Sequence, residues 1–184
     1  METFVPNRLN IPQRKQKGLI RMYNTGIPAL FYFTLSAVRE GQPMKFSATT
    51  ADQIDPCAIG QGDGAKCVGL ALQETYDDSA YGQLMNYHFA NDTRQRLDGQ
   101  PIGLMTGAGY ALTTNYPAAN MPVYGDKLAV GPSGYLVKQG ALGTVAGDNL
   151  PIVCEGNSGD FDYYGDGQQL VIRIRYNFHT AFAA

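Results

Sequence analysis

Apolar and polar positions alternate along this chain in short stretches, and glycine or proline separates most stretches from the next. Leu30-Phe31-Tyr32-Phe33-Thr34-Leu35, within residues 29–38, is aromatic and β-favouring and is read as the first core strand. Met44, Phe46 and Ala48 alternate with Lys45, Ser47 and Thr49, which predicts a half-exposed strand with its apolar groups on one face. Val68, Leu70 and Leu72 repeat that period with small Gly69 and Ala71 opposite, so a second backbone or subunit is expected to approach there. Further strands are predicted in Pro101–Met105, Tyr110–Thr113, Asp126–Val130, Tyr135–Lys138, Leu150–Glu155 and Gln169–Asn177. The last of these alternates most clearly. It places Leu170, Ile172, Ile174 and Tyr176 on a core face and Val171, Arg173 and Arg175 on the other, where paired arginines need open water or carboxylates such as those of Asp160–Asp166.

Glycine turns give these strands their punctuation. Gly41-Gln42-Pro43-Met44, Gly60-Gln61-Gly62-Asp63-Gly64 and Cys67–Leu72 form one pass, and Gly125–Leu128, Gly131-Pro132-Ser133-Gly134 and Tyr135–Val137 form a degenerate second. Short strands separated by residues that tolerate positive φ predict a mainly all-β chain, a β-barrel or sandwich of short strands with an extended N-terminal arm. Residues 1–29 hold Pro6, Pro12 and Pro28 and no sustained period, and are read as the arm. Residues 30–184 are read as the β-rich domain, with an insertion at about 74–98 whose pattern fits helix and strand equally. Thr114–Tyr124, with Pro117 and Pro122, is an irregular loop that reads either as a contact element or as a plain surface connection.

The 184 residues are 44% hydrophobic, enough for a core, but only 16% charged, with 22 glycines and 12 tyrosines. Such a surface is polar, uncharged and aromatic, and suits broad, wet contacts with other proteins. The net charge of −2 conceals an asymmetry. Arg8, Arg14, Lys15, Lys17 and Arg21 stand in the first 21 residues against Glu2 alone, so a basic arm precedes an acidic body and is the candidate binding element for a negative surface. Five charges without clustered aromatics make a thin footprint for nucleic acid, and no nucleic-acid partner is expected. The opening Met1–Pro6 lacks a basic segment followed by an apolar one, and no apolar stretch approaches the ~20 residues of a membrane span. The expectation is a soluble protein made in a cytoplasm, with no membrane partner. Cys57, Cys67 and Cys154 form no CxxC and are expected to be free, buried thiols.

Candidate chemistry is sparse. Gly60–Cys67 looks like a phosphate loop, but its glycine spacing is wrong and Lys66 is followed by Cys67 and a strand, so it reads as a turn. Asp160–Gly167 starts like a calcium loop, but Tyr164 and Val171 stand where oxygen ligands belong, and a polar hairpin loop is expected. His88 and His179 are the only histidines, and neither a GxSxG elbow nor an HExxH helix occurs. No enzymatic activity, cofactor or metal is expected. The abundant tyrosines, including Tyr163-Tyr164 in the acidic loop, suit protein interfaces and also sugar stacking, which makes a glycan-binding module the alternative.

Four segments in order carry a family resemblance. Glu40-Gly41-Gln42-Pro43-Met44, Ala65–Leu72, Gly99-Gln100-Pro101-Ile102-Gly103-Leu104-Met105 and Gly125-Asp126-Lys127-Leu128 resemble the recurring strand motifs of the capsid decoration, or cement, proteins of tailed bacteriophages. The likeness spans residues 37–140. It implies a structural virion protein on the outer capsid surface, commonly a homotrimer at local threefold positions, that contacts the major capsid protein and bridges neighbouring capsomers.

Overall fold

The structure, a computed structural model, describes residues 19–24, 30–34, 36–50, 53–72, 74–76, 95–97, 101–161 and 170–179. Among these the chain is mainly β, as expected, with two antiparallel sheets, one of them a half-barrel, and no α-helix. Its strands are β1 (Leu19–Asn24), β2 (Leu30–Phe33), β3 (Pro43–Phe46), β4 (Ile54–Pro56), β5 (Cys67–Ala71), β6 (Glu74–Tyr76), β7 (Gln95–Leu97), β8 (Pro101–Met105), β9 (Ala108–Thr113), β10 (Lys127–Val130), β11 (Leu136–Lys138), β12 (Asn149–Phe161) and β13 (Leu170–Asn177). A six-stranded sheet runs β1-β9-β13-β12-β10-β11, and a five-stranded sheet runs β2-β8-β5-β3-β4. A single parallel bridge between Phe33 and Gln53 joins the end strands of the smaller sheet, so that sheet curls back on itself. In the region read as an insertion, β6 and β7 pair in parallel.

The main core lies between the sheets. Cys67, Leu70 and Met105 from the smaller sheet meet Leu128, Val130, Ile152, Ile172, Ile174 and Tyr176 from the larger one. A second cluster, with Val38, Met44, Ile54, Val68, Ile102 and Leu104, fills the other face of the curled sheet. Strand β5 is consequently buried along its whole length. A sheet covered on both faces leaves no polar side, and Val68 and Leu70, expected on one face, pack into different clusters. Gly69 sits where the backbone approach was expected: a Cβ there would lie 2.5 Å from the Met105 carbonyl oxygen.

Several expectations are refined. Residues 19–24, read as the end of the arm, form the edge strand β1, paired to β9 with Arg21 opposite Leu112. Phe46, placed with Met44 on an apolar face, is 37% exposed because β3 runs out of the sheet's cover at that end. On β13, Ile172, Ile174 and Tyr176 are buried and Arg173 and Arg175 exposed, as the alternation requires, but Val171 is buried as well. The Thr114–Tyr124 loop is neither a plain connection nor exposed throughout. Thr114, Asn115, Tyr116 and Pro122 are buried, and the Tyr116 hydroxyl donates to the Leu170 carbonyl.

Candidate functional site

The solvent face of the six-stranded sheet gathers the aromatic and charged groups best placed for a partner. Register fixes their arrangement. Tyr23, Tyr110, Arg175, Val153 and Lys127 occupy successive opposed positions on β1, β9, β13, β12 and β10. Arg21, Leu112 and Arg173 form the neighbouring row. Tyr110 is 40% exposed and borders a shallow groove of about 480 Å3 with Pro151, Val153, Arg175 and Asn177. Glu155 on β12 answers the two arginines: one carboxylate oxygen lies 3.2 Å from Arg173 Nε and the other 3.5 Å from Arg175 Nε. One carboxylate shared by two guanidiniums leaves local positive charge. Both arginines keep more than half of their side-chain surface, 54% and 58%, so these ion pairs are screened and the guanidiniums stay available to a partner. A tyrosine beside arginines is the composition that interface cores favour.

Away from this face, two contacts hold the sheets together. Asp148 is fully buried and accepts backbone N–H groups from Gly60 (2.9 Å), Gly62 (3.2 Å) and Val145 (3.0 Å). Burial opposes its charge, but the three donors outweigh burial and hold the carboxyl below the ordinary value. The glycine loop that imitates a phosphate cradle thus does hold an anion, and the anion is the protein's own. Its tip is a turn leading into a 3-10 segment at Asp63–Lys66, as the turn reading expected, and Asp63 binds Lys45 Nζ at 2.6 Å. Asn115 supplies the second contact, donating through Nδ2 to the carbonyls of Gly41 (2.9 Å) and Gly134 (3.0 Å). The turn that opens the first pass of the glycine pattern and the Gly131–Gly134 turn of the second therefore meet in space.

Of the residues singled out for capsid binding, Arg21 lies on β1, and Arg8, Arg14, Lys15 and Lys17 lie outside the described residues. The loop residues 162–169 and His88 also lie outside them. Strands β12 and β13 pair antiparallel up to Phe161 opposite Leu170. The side chains of Asp160, Asp162 and Asp166 lie outside the described residues, among which the carboxylate partner of Arg173 and Arg175 is Glu155. Sequence could not reveal it, because only the β12–β13 register, with Val153 opposite Arg175, brings Glu155 alongside. Cys57, Cys67 and Cys154 are free and buried, as expected. Among the described residues, no three His, Cys, Asp or Glu side chains are grouped to hold a metal ion. No family model matches this chain, and a search of curated proteins finds no match.

Proposed function

We propose that this chain is a structural virion protein that binds the outer surface of an assembled tailed-phage capsid and bridges its capsomers, with the major capsid protein and further copies of itself as partners. The observation that carries the reading furthest is the solvent face of the six-stranded sheet, where exposed Tyr110 stands directly opposite Arg175 and beside the row that holds Arg173. The order of the glycine-punctuated strand motifs supports the same reading. Binding of this kind stabilises by mass action. A ligand that recognises only the assembled lattice favours it by RT ln(1 + [L]/Kd), about 2.7 kcal/mol per site at a hundredfold excess over Kd.

Mixing the protein with undecorated, expanded capsids and sedimenting them tests the proposal. The protein is expected in the pellet with particles and in the supernatant with free capsid subunits; supernatant in both cases overturns it. One observation favours a second reading, glycan binding: the groove sets an exposed tyrosine ring beside Arg175 and Asn177, a stacking surface flanked by hydrogen-bonding groups. Glycan-array binding that Tyr110→Ala abolishes, without particle binding, would select it.

A further inference from the structure

Arg39 stands in a cleft of about 580 Å3 that lies apart from the sheet face described above, walled by Ala37, Val38, Pro56 and Ile59 and closed on one side by Ser133 and Gly134. Its guanidinium carbon sits 4.3 Å from the centroid of the Tyr135 ring. Among the described residues no carboxylate pairs with it. Its Nη1 is buried without a hydrogen-bond partner. A guanidinium donor removed from water and left unmatched is costly, and native structures rarely keep one without a reason.

The surroundings hold the main chain here in place. The Arg39 backbone N–H donates to Gln42 Oε1 at 3.0 Å, and the Gln42 side chain packs so closely on Gly134 that a Cβ there would overlap it. Ser133 next to it has φ 54°, a left-handed conformation that a residue other than glycine adopts at a cost. A stacked, planar fork with its Nη1 unmatched, a single positive charge and apolar walls matches a monoanion on an apolar stem better than a phosphate dianion. We infer that this cleft is a binding site for a carboxylate carried by another polypeptide, from an acidic side chain or a chain terminus.

Two probes separate those sources: N-acetylglutamate α-amide presents a side-chain carboxylate, and N-acetylalanine a terminal one. At least one is expected to shift the Arg39 Nε–H and the Ser133 and Gly134 amide resonances saturably, while N-acetylglutamine α-amide, its neutral counterpart, leaves them in place. Arg39→Gln should abolish the response with the remaining amide spectrum preserved. Arg39→Lys, which keeps the charge but not the fork, should weaken it about tenfold or more. The inference is overturned if neither carboxylate binds, if the neutral probe acts equally, if Arg39→Gln responds like the parent protein, or if inorganic phosphate alone produces the shifts.

Discussion

The Asp148 carboxylate accepts the Gly60 N–H at 2.9 Å across 88 positions of sequence, tying the loop between β4 and β5 to the loop between β11 and β12. Each loop belongs to a different sheet, so one buried side chain fastens the two layers together.

Removing that buried carboxylate leaves three backbone donors without their partner. Asp148→Ala is expected to cost about 2–5 kcal/mol at neutral pH. The pH dependence has a definite sign. Because the folded carboxyl titrates below its unfolded value of about 3.9, the stabilisation is complete above that value and is lost as pH falls through the folded one. Urea titrations of the parent and Asp148→Asn should differ most near neutrality and converge in strong acid. A gap that stays constant at every pH would show that the charge is irrelevant.

The two faces of β13 predict opposite outcomes. Ile172 is fully buried, and Ile172→Ala should cost about 2–5 kcal/mol. Arg173 shares Glu155 with Arg175 in the solvent, and Arg173→Ala should cost no more than ~1 kcal/mol. Thermal unfolding decides between them, and the reverse order would mean that the faces are wrongly assigned.

Particle binding should respond to both the sheet face and the basic segment. Tyr110→Ala and Arg175→Glu are expected to weaken co-sedimentation without lowering the melting temperature appreciably. Replacing Arg14, Lys15 and Lys17 with Ala should weaken binding and flatten its salt dependence, since exposed charges are screened over ~8 Å at physiological ionic strength. A truncation meant to test the basic segment should stop before Leu19, because deleting residues 1–21 cuts into β1. Unchanged binding in all variants would sink the docking-face reading.

Gly69→Ala should cost about 3 kcal/mol or more, because the added Cβ meets the Met105 carbonyl, which belongs to paired backbone and has nowhere to go. Gly140 provides the comparison. Its φ is +80° with nothing within 4 Å of a Cβ, so alanine there should bring only the left-handed penalty of about 1–2 kcal/mol. Equal losses at the two positions would remove the close-approach explanation.

All three thiols should be silent to a maleimide in the native protein and react after denaturation. Contact with Cys67 and burial push the Cys57 thiol up, and burial does the same for Cys154, so thiolate is scarce where access is also poor. Fewer than three reactive thiols in the denatured, unreduced chain would reveal a disulfide.

The strands that alternate cleanly in sequence are those with one wet face. β13 could be read residue by residue, because Arg173 and Arg175 mark the solvent side between buried isoleucines. β12 could be read only in part. It extends to Phe161 through register shifts on either side of Asn157, and Gly156, at φ +96°, interrupts the alternation that a sequence reading follows. β1 and β4 are short edge strands without a periodic signature of their own; pairing, and not pattern, defines them. The sheet face was legible as residue types but not as a surface, since Tyr110, Arg175 and Glu155 come from three strands that only register aligns. Asp148 gave no signal at all: an isolated Asp in a glycine-bearing loop reads as solvated until the loop it grips is found.

The Asp148 clasp also dictates an order of events in time. Its donors come from loops far apart in the chain, and β1 meets β9 only when Leu19 reaches Thr113, so folding must close long loops before these contacts form and is expected to be slow for a chain of this length. The carboxylate finds its full set of donors only after both sheets stand, which places the clasp late on the route. Variants of Asp148 should accordingly speed unfolding and leave the refolding rate nearly unchanged. Acid, acting on the same group, shortens the lifetime of the native state rather than delaying its arrival.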